Sequence, residues 1–271
     1  MSNTNTCQSE YGKLLSVHLK DVNAAFIDDA HLEKYWQMLN YIDKPDFEKS
    51  KEEYTFFRKL LTDQGVQIFD IGHDPFVNMD SIYCRDAAIS TDHGFILCNM
   101  GKAARQNEPA ALADHFRKNE FDILGAIALP GTVEGGDVAW LDTNTLAVGH
   151  TYRTNEDGIR QLKQLLQPFG IAVIVAHLPH YKGTSDVFHL MSILSPIDAD
   201  LAVVYSPLMP IIFRNYLLDK GYQLIEVSDD EFDTMGCNVL AIAPSKCIMV
   251  EGNPKTKAAL EASGCTVLTY P

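Results

Sequence analysis

Four polar segments of the sequence carry titratable side chains between apolar stretches. They are Asp80–Asp86, Glu134–Asp137, Asp186–His189 and Met235–Asn238. Carboxylates close to an imidazole can bind a cation, orient the imidazole and support general acid–base chemistry. A carboxylate between apolar strands is costly unless it is paired. The recurrence of such segments therefore favours one shared site over four unrelated surface positions.

The elements that must position these segments form a repeat. A short apolar strand, an amphipathic helix, a stop and a second strand recur five times. The five copies span 14–71, 95–129, 145–176, 201–227 and 247–270. Two connectors, Asp137–Leu141 and Asn238–Ile242, indicate an extra strand in front of a copy, which makes the unit ββαβ-like.

Each unit is too small to bury its own apolar face, so a core shared between units is expected. This favours a five-bladed α/β arrangement over a doubly wound sheet, which also alternates strands and helices. No low-complexity linker interrupts residues 1–271, so we expect a single catalytic domain.

Composition narrows the class of protein. With 22 Lys and Arg against 36 Asp and Glu, the 271-residue chain carries a net charge of −14, which argues against nucleic-acid or anionic-membrane partners. The hydrophobic fraction of 46% supplies a sizeable core. The six cysteines are scattered without C-x-x-C or zinc spacing, which is typical of reduced core residues. The chain starts without a signal-peptide pattern and has no membrane-length apolar run, so we expect a cytoplasmic protein.

The motifs, in order, resemble those of the guanidine-modifying (pentein) superfamily of arginine deiminase and dimethylarginine dimethylaminohydrolase. Glu134-Gly135-Gly136-Asp137 is similar to the acidic-Gly-Gly-Asp motif of that family, and Phe188-His189-Leu190 to its catalytic-histidine motif. The segment 149–158, which contains Arg153, resembles a stretch whose arginine holds the α-carboxylate of the substrate. The resemblance implies a five-bladed α/β propeller of ββαβ repeats with pseudo-five-fold symmetry. It also implies that the protein acts without a metal or cofactor.

The resemblance also implies roles for single residues. His189 would protonate the departing amine and then activate water, and Glu134 would orient the imidazole. The residues implied for substrate binding are Asp80 and Asp86 at the guanidinium end, Arg105 and Arg153 at the carboxylate end, and also Asp137. The implied reaction hydrolyses a guanidino C–N bond of arginine or an N-methylated analogue to a ureido product such as citrulline, plus ammonia or an amine.

In this family the nucleophile is a cysteine in a Gly-rich segment after the fifth repeat. The sequence reaches Pro271 where that segment would begin, so we expect the nucleophile outside 1–271. Cys237, in the fourth polar segment, is the fallback candidate, and Cys265 is expected in the core.

Two departures leave the substrate open. Arg85 stands where the dimethylarginine enzymes have Glu, and Met191 where the arginine deiminases have Asp. Amidino transfer, or arginine binding without catalysis, are alternatives on the same scaffold. A zinc hydrolase using the acidic and imidazole side chains of segment 177–189 is disfavoured because Pro179 interrupts the helical spacing that such a metal pair needs. Its candidate ligands are His177, His180, Asp186 and His189. We expect a small guanidino substrate as partner, and a homodimer is a further possibility.

Overall fold

The strands form five small sheets in the part of the chain that the structure, a computed structural model, describes: residues 5–184 and 188–271. Asp186 lies outside these residues. The first sheet contains β1 (Ser16–Lys20) and β2 (Gln67–Ile71); the second β3 (Ala88–Ile89), β4 (Phe95–Leu97) and β5 (Ile123–Ala126); the third β6 (Val138–Asp142), β7 (Thr145–His150) and β8 (Ala172–His177); the fourth β9 (Leu194–Asp198), β10 (Leu201–Val204) and β11 (Gln223–Glu226); and the fifth β12 (Val239–Ala243), β13 (Lys246–Val250) and β14 (Thr266–Tyr270).

The second to fifth sheets share one topology. In each, the first two strands are antiparallel and the second and third are parallel, as in Val138 opposite Val148 and His150 beside His177. This is the ββαβ unit predicted from the sequence, and the two predicted extra strands are β6 and β12. The first sheet has only the parallel pair among the described residues.

Helices cross between the parallel strands of each sheet. The helices are α1 (Val22–Ala25), α2 (Asp29–Tyr35), α3 (Phe47–Asp63), α4 (Glu108–Lys118), α5 (Glu156–Leu166), α6 (Ile211–Asp219), α7 (Asp229–Phe232) and α8 (Pro254–Ala262). Of these, α7 lies instead in the connection from β11 to β12. Asn155 caps α5 by accepting a hydrogen bond from the Gly158 N–H, and Pro254 occupies the first position of α8, where its missing N–H costs nothing. None of the described helices is long and apolar enough to cross a lipid bilayer.

In the described residues, four clusters of buried apolar residues each contain residues of more than one sheet, and a further cluster lies around α1 and α2. The pairs that illustrate this are Ile96 of β4 with Val148 of β7, Ala147 of β7 with Val204 of β10, Val203 of β10 with Met249 of β13, and Ile248 of β13 with Val66 beside β2. Successive sheets therefore share their cores, as the small size of each unit requires.

Short 3-10 turns precede the first strand of three sheets. Cys84–Ala87 leads into β3, Gly135–Asp137 into β6, and Leu190–Ser192 into β9. The first turn contacts the second, and the second contacts the third. Equivalent positions of three repeats are therefore brought together.

Candidate active site

The three turns bring Asp86, Glu134 and His189 into one cluster. Asp86 lies within the first turn, Glu134 immediately before the second and His189 immediately before the third. One side-chain oxygen or nitrogen from each residue lies within 4.8 Å of the other two. Residues far apart in the chain thus form a compact constellation of one imidazole and two carboxylates.

His189 is buried between carboxylates on both edges of its ring. Its Nε2 lies 3.4 Å from Oε2 of Glu134, and its Nδ1 lies 3.2 Å from Oδ1 of Asp137. Neither nitrogen is aligned for a hydrogen bond with a described residue, so the attraction is mainly electrostatic. Burial by itself lowers the pKa of His189, but the charges of Asp137, Asp86 and Glu134 outweigh burial and raise the pKa to about 9. The imidazole is therefore protonated at neutral pH and can act as an acid.

Asp86 is held from two sides. Its Oδ2 accepts a 2.6 Å hydrogen bond from Nη1 of Arg105, and its Oδ1 accepts one of 3.0 Å from the Gly136 N–H. Burial opposes the charge of this carboxylate, but the cations of His189 and Arg105 prevail and lower its pKa. Asp86 thus remains an anion at neutral pH.

Glu134 is fully buried and receives hydrogen bonds from two cationic residues. Its Oε1 accepts from the backbone N–H of Lys102 at 2.9 Å and from Nη1 of Arg153 at 3.2 Å. Its own N–H donates to Oγ1 of Thr154 at 3.1 Å. The carboxylate is therefore fixed against the His189 ring.

Asp137 links the third and fourth repeats. Its Oδ2 accepts a 2.7 Å hydrogen bond from the Thr151 hydroxyl, and its Oδ1 accepts one of 3.1 Å from the Leu190 N–H. These bonds fix the backbone next to His189. In this position Asp137 orients the imidazole from the side opposite to Glu134.

The two glycines between Glu134 and Asp137 permit this close approach. A Cβ on Gly135 would lie 2.1 Å from the Arg85 carbonyl oxygen, and one on Gly136 would lie 2.8 Å from Oδ1 of Asp86. Neither glycine has a positive φ. Space, and not an unusual turn conformation, therefore requires glycine here.

A family model described as N,N dimethylarginine dimethylhydrolase, eukaryotic, matches residues 27–270. The chain belongs to this family. The match confirms the family relationship that the motifs suggested, and it covers the strands from β2 to β14.

Relatives of this dimethylarginine dimethylhydrolase family member include two groups of enzymes. The N(G),N(G)-dimethylarginine dimethylaminohydrolase of Pseudomonas aeruginosa is 23% identical over 229 residues, which cover 84% of either chain. The arginine deiminase of Mycoplasma capricolum is 24% identical, over 92% of this chain and 70% of its own. In a solved structure, a cysteine-to-serine mutant of the Pseudomonas aeruginosa enzyme is complexed with citrulline; it matches with a TM-score of 0.77 and 20% identity, over 95% of this chain and 92% of that one. That likeness shows the fold, which is the α/β fold of the pentein superfamily.

Asp80, the remaining carboxylate predicted for the site, is buried against Lys102, a residue that the sequence analysis did not single out. Nζ of Lys102 lies 2.7 Å from Oδ2 of Asp80 and also donates to the Leu39 carbonyl at 2.8 Å. Because the Lys102 N–H binds Glu134, this one residue connects two of the predicted site carboxylates. The signal available in the sequence was its place in the segment 101–105, beside Arg105.

The two predicted arginines differ in how many of their side-chain N–H donors are hydrogen-bonded within the protein. Arg105 donates from Nε and Nη2 to Glu108, from Nη1 to Asp86 and from Nη2 to the Tyr83 carbonyl. All three of its guanidinium nitrogens are therefore hydrogen-bonded within the protein. Arg153 donates to Glu134 through Nη1 and also lines a cavity of about 260 Å³. The arrangement places Arg105 as the support of Asp86, whereas Arg153, itself buried, forms part of the cavity wall.

Cys237 lies in the core shared by the fourth and fifth sheets. It is 1% exposed, its Sγ contacts the Val203 carbonyl at 3.8 Å, and its own carbonyl accepts a hydrogen bond from Ser195. Burial raises the pKa of its thiol far above the ordinary value, which favours the unreactive protonated form. Cys265, just before β14, is buried as predicted.

The Asp86, Glu134 and His189 atoms are close enough to be considered as metal ligands. Metal binding is disfavoured, because the guanidinium of Arg105 already pairs with Asp86 and that of Arg153 with Glu134. A protonated His189 offers no lone pair on either nitrogen. The set therefore suits a ligand that donates hydrogen bonds better than a divalent ion.

Proposed function

We propose that the protein is an amidinohydrolase that cleaves a guanidino C–N bond of arginine or an N-methylated analogue. One observation carries the proposal: Asp86, Glu134 and His189 from three successive repeats converge, with the imidazole protonated at neutral pH. The family relationship and the activities of the relatives support the same chemistry. The product is a ureido compound such as citrulline, released with ammonia or an amine.

Substrate binding follows from charge and shape. A guanidinium is flat and cationic, and carboxylates pair with its N–H groups. Asp86 presents an anionic carboxylate at the cluster. Asp137 lies beside the His189 ring, and Asp80 is connected to Glu134 through Lys102. Arg153, which borders the cavity of about 260 Å³, offers its remaining N–H donors to the substrate α-carboxylate. Arg105 supports Asp86 and reaches the substrate through that carboxylate.

The reaction proceeds in two steps. A cysteine thiolate attacks the guanidino carbon, a C–S bond forms, and the C–N bond breaks as His189 gives its proton to the leaving nitrogen. Neutral His189 then takes a proton from water, which attacks the same carbon and releases the thiolate. Glu134 and Asp137 stabilise the imidazolium before the first step and after the second.

A labelling experiment identifies the cysteine that supplies the thiolate. The burial of Cys237 and its raised pKa favour a structural role for that residue. Alkylation by a thiol reagent with and without arginine, followed by peptide mapping, identifies the cysteine that substrate protects. We expect Cys237 to resist alkylation in both samples; protection of Cys237 by arginine would make it the nucleophile.

We also propose that the five sheets close into a five-bladed ring that constitutes a single domain over residues 1–271. The shared core clusters support this, since they join the sheets in succession. The fifth sheet also packs against the first, through Ile248 with Val66 and through a hydrogen bond from the Leu14 N–H to the Ile242 carbonyl.

A panel of guanidino compounds tests the activity. Arginine, N-methylated arginines and agmatine are incubated with the full-length protein and assayed for a ureido product. We expect turnover of a substrate with an α-carboxylate, a loss of about 10²–10⁴-fold in His189→Ala with the far-UV spectrum unchanged, and a raised KM in Arg153→Ala. Arginine binding without ureido product would contradict the proposal and favour a binding protein. Amidino transfer would instead consume an added amine and leave isotopically labelled water unincorporated.

A further inference from the structure

Two histidines meet at the ends of β7 and β8, outside the cluster described above. His150 and His177 are the last residues of these parallel strands and stand side by side in the register. Their Nδ1 atoms lie 3.2 Å apart, and their rings are nearly perpendicular, at 89°. In the sequence His177 is spaced with His180, but the structure pairs it with His150.

This separation suits two ligands of one transition-metal ion. With metal–nitrogen bonds of about 2.0–2.1 Å, nitrogens 3.2 Å apart subtend an angle of roughly 100–106° at the metal, close to tetrahedral. Imidazole is a preferred ligand of zinc, copper and nickel. We propose that His150 and His177 form a binding site for a divalent transition-metal ion of this group, held through both Nδ1 atoms.

The surroundings make this pair accessible. His177 is exposed, and His150 borders the cavity of about 260 Å³, so water or a small oxygen ligand can complete the coordination shell from that side. His180 borders the same cavity, but its Nδ1 is 2.7 Å from the Tyr152 hydroxyl and is already engaged. His180 is therefore a matched neighbour that lies outside the proposed ligand pair.

A second histidine pair in the described residues shows the contrast. His18 Nδ1 lies 3.0 Å from His115 Nε2, so this pair differs from His150 and His177 in its surroundings and not in its separation. Aromatic rings surround His18: those of Phe69, Phe95, Phe116 and Phe121. Burial and the neighbouring His115 lower the pKa of His18 to about 4. These rings enclose His18, whereas His177 is exposed and His150 borders the cavity, so we assign the metal to the strand-end pair.

Calorimetric titration of the full chain with Zn²⁺, at a pH where imidazoles are neutral, tests the site independently of the proposed function. We expect one Zn²⁺ per chain, and binding at least about tenfold weaker in His150→Ala and in His177→Ala. The matched control His180→Ala and the active-site variant His189→Ala should bind as the wild type does. The free thiols are the same in all four variants, so differences between them report on the histidines.

Electron paramagnetic resonance with Cu²⁺ gives a second readout that a merely weakened fold would not reproduce. We expect couplings to two imidazole nitrogens in the wild type and to one in either single variant. Unchanged Zn²⁺ affinity in His150→Ala and His177→Ala would overturn the proposal. So would an equal loss in all four variants, which would place the ion elsewhere.

Discussion

His189 sits between carboxylates that hold its proton, and this fixes the direction of the pH dependence. Its pKa is raised to about 9 despite burial. In the proposed first step the imidazolium is the acid, so we expect kcat/KM to fall as the pH rises through about 9. A pH–rate profile measures this; a fall centred at the ordinary histidine pKa of about 6.5 would contradict the assignment.

The same raised pKa links His189 to stability. The folded protein binds this proton more tightly than the unfolded chain, so the stabilisation is complete below pH of about 6.5 and is lost as the pH rises toward about 9. We expect the difference in free energy of unfolding between wild type and His189→Gln to shrink over that interval. Urea unfolding at its two ends measures the difference, and a pH-independent difference would show that the carboxylates do not hold the proton.

Lys102 compensates a buried charge at Asp80. The Asp80 side chain is 3% exposed, so replacing its partner by Met in Lys102→Met leaves an unpaired buried carboxylate. We expect a loss of about 3–5 kcal/mol in the free energy of unfolding, measured by urea titration, and partial recovery in the double variant Asp80→Asn, Lys102→Met.

A surface pair provides the control. Lys182 and Asp233 form an exposed ion pair, with side chains 55% and 75% accessible, so Lys182→Met should cost no more than about 1 kcal/mol. Equal losses in the two lysine variants would show that Lys102 does not compensate a buried charge.

At the scale of elements, the 3-10 turn Gly135–Asp137 must pass close to groups from two other repeats. A Cβ on Gly136 would lie 2.8 Å from both Asp86 Oδ1 and His189 Cδ2. We expect Gly136→Ala to displace these side chains and lower kcat by at least about tenfold. Gly72→Ala is the control, because nothing lies within 4 Å of its added methyl group; activity lost equally in both would point to a general effect on folding.

The repeat elements could be predicted because their signals are local. Apolar periodicity and glycine stops place the strand at Phe95 and the helix around 159–166 within a few residues of β4 and α5. The sequence also indicates the extra strands of the third and fifth sheets, β6 and β12.

The remaining features depend on contacts between distant segments. Lys102 acquires its role only because Gly101 packs against the Arg153 backbone, where a Cβ would be 2.6 Å from the carbonyl oxygen. The hydrogen bond from Arg105 to Asp86 likewise requires the segment before α4 to lie against the first turn. The pairing of His150 with His177 follows from a parallel register set across α5. No local pattern encodes these contacts.

The contact between the fifth and first sheets would complete a closed ring of sheets. Ile248 is 1% exposed and shares a cluster with Leu61 and Val66 of the first repeat. We expect Ile248→Ala to lower the free energy of unfolding by about 2–5 kcal/mol, in one cooperative transition by fluorescence and circular dichroism. Ile212→Ala, at a side chain 85% exposed, should have little effect.

Two separate transitions for Ile248→Ala would contradict a single domain. An effect as small as that of Ile212→Ala would mean that the fifth sheet contributes little to holding the first in place.

Asp86, Glu134 and His189 each precede a different sheet, and no two of them belong to the same repeat. A fragment ending before residue 189, or a native molecule whose fourth sheet has transiently frayed, retains two of the three groups and loses the acid. Catalytic competence should therefore disappear on partial opening, before most of the secondary structure does. Only those molecules in which three neighbouring repeats are packed together would then be active. Enzymatic activity is therefore a more sensitive measure of native assembly than a spectroscopic signal averaged over the chain.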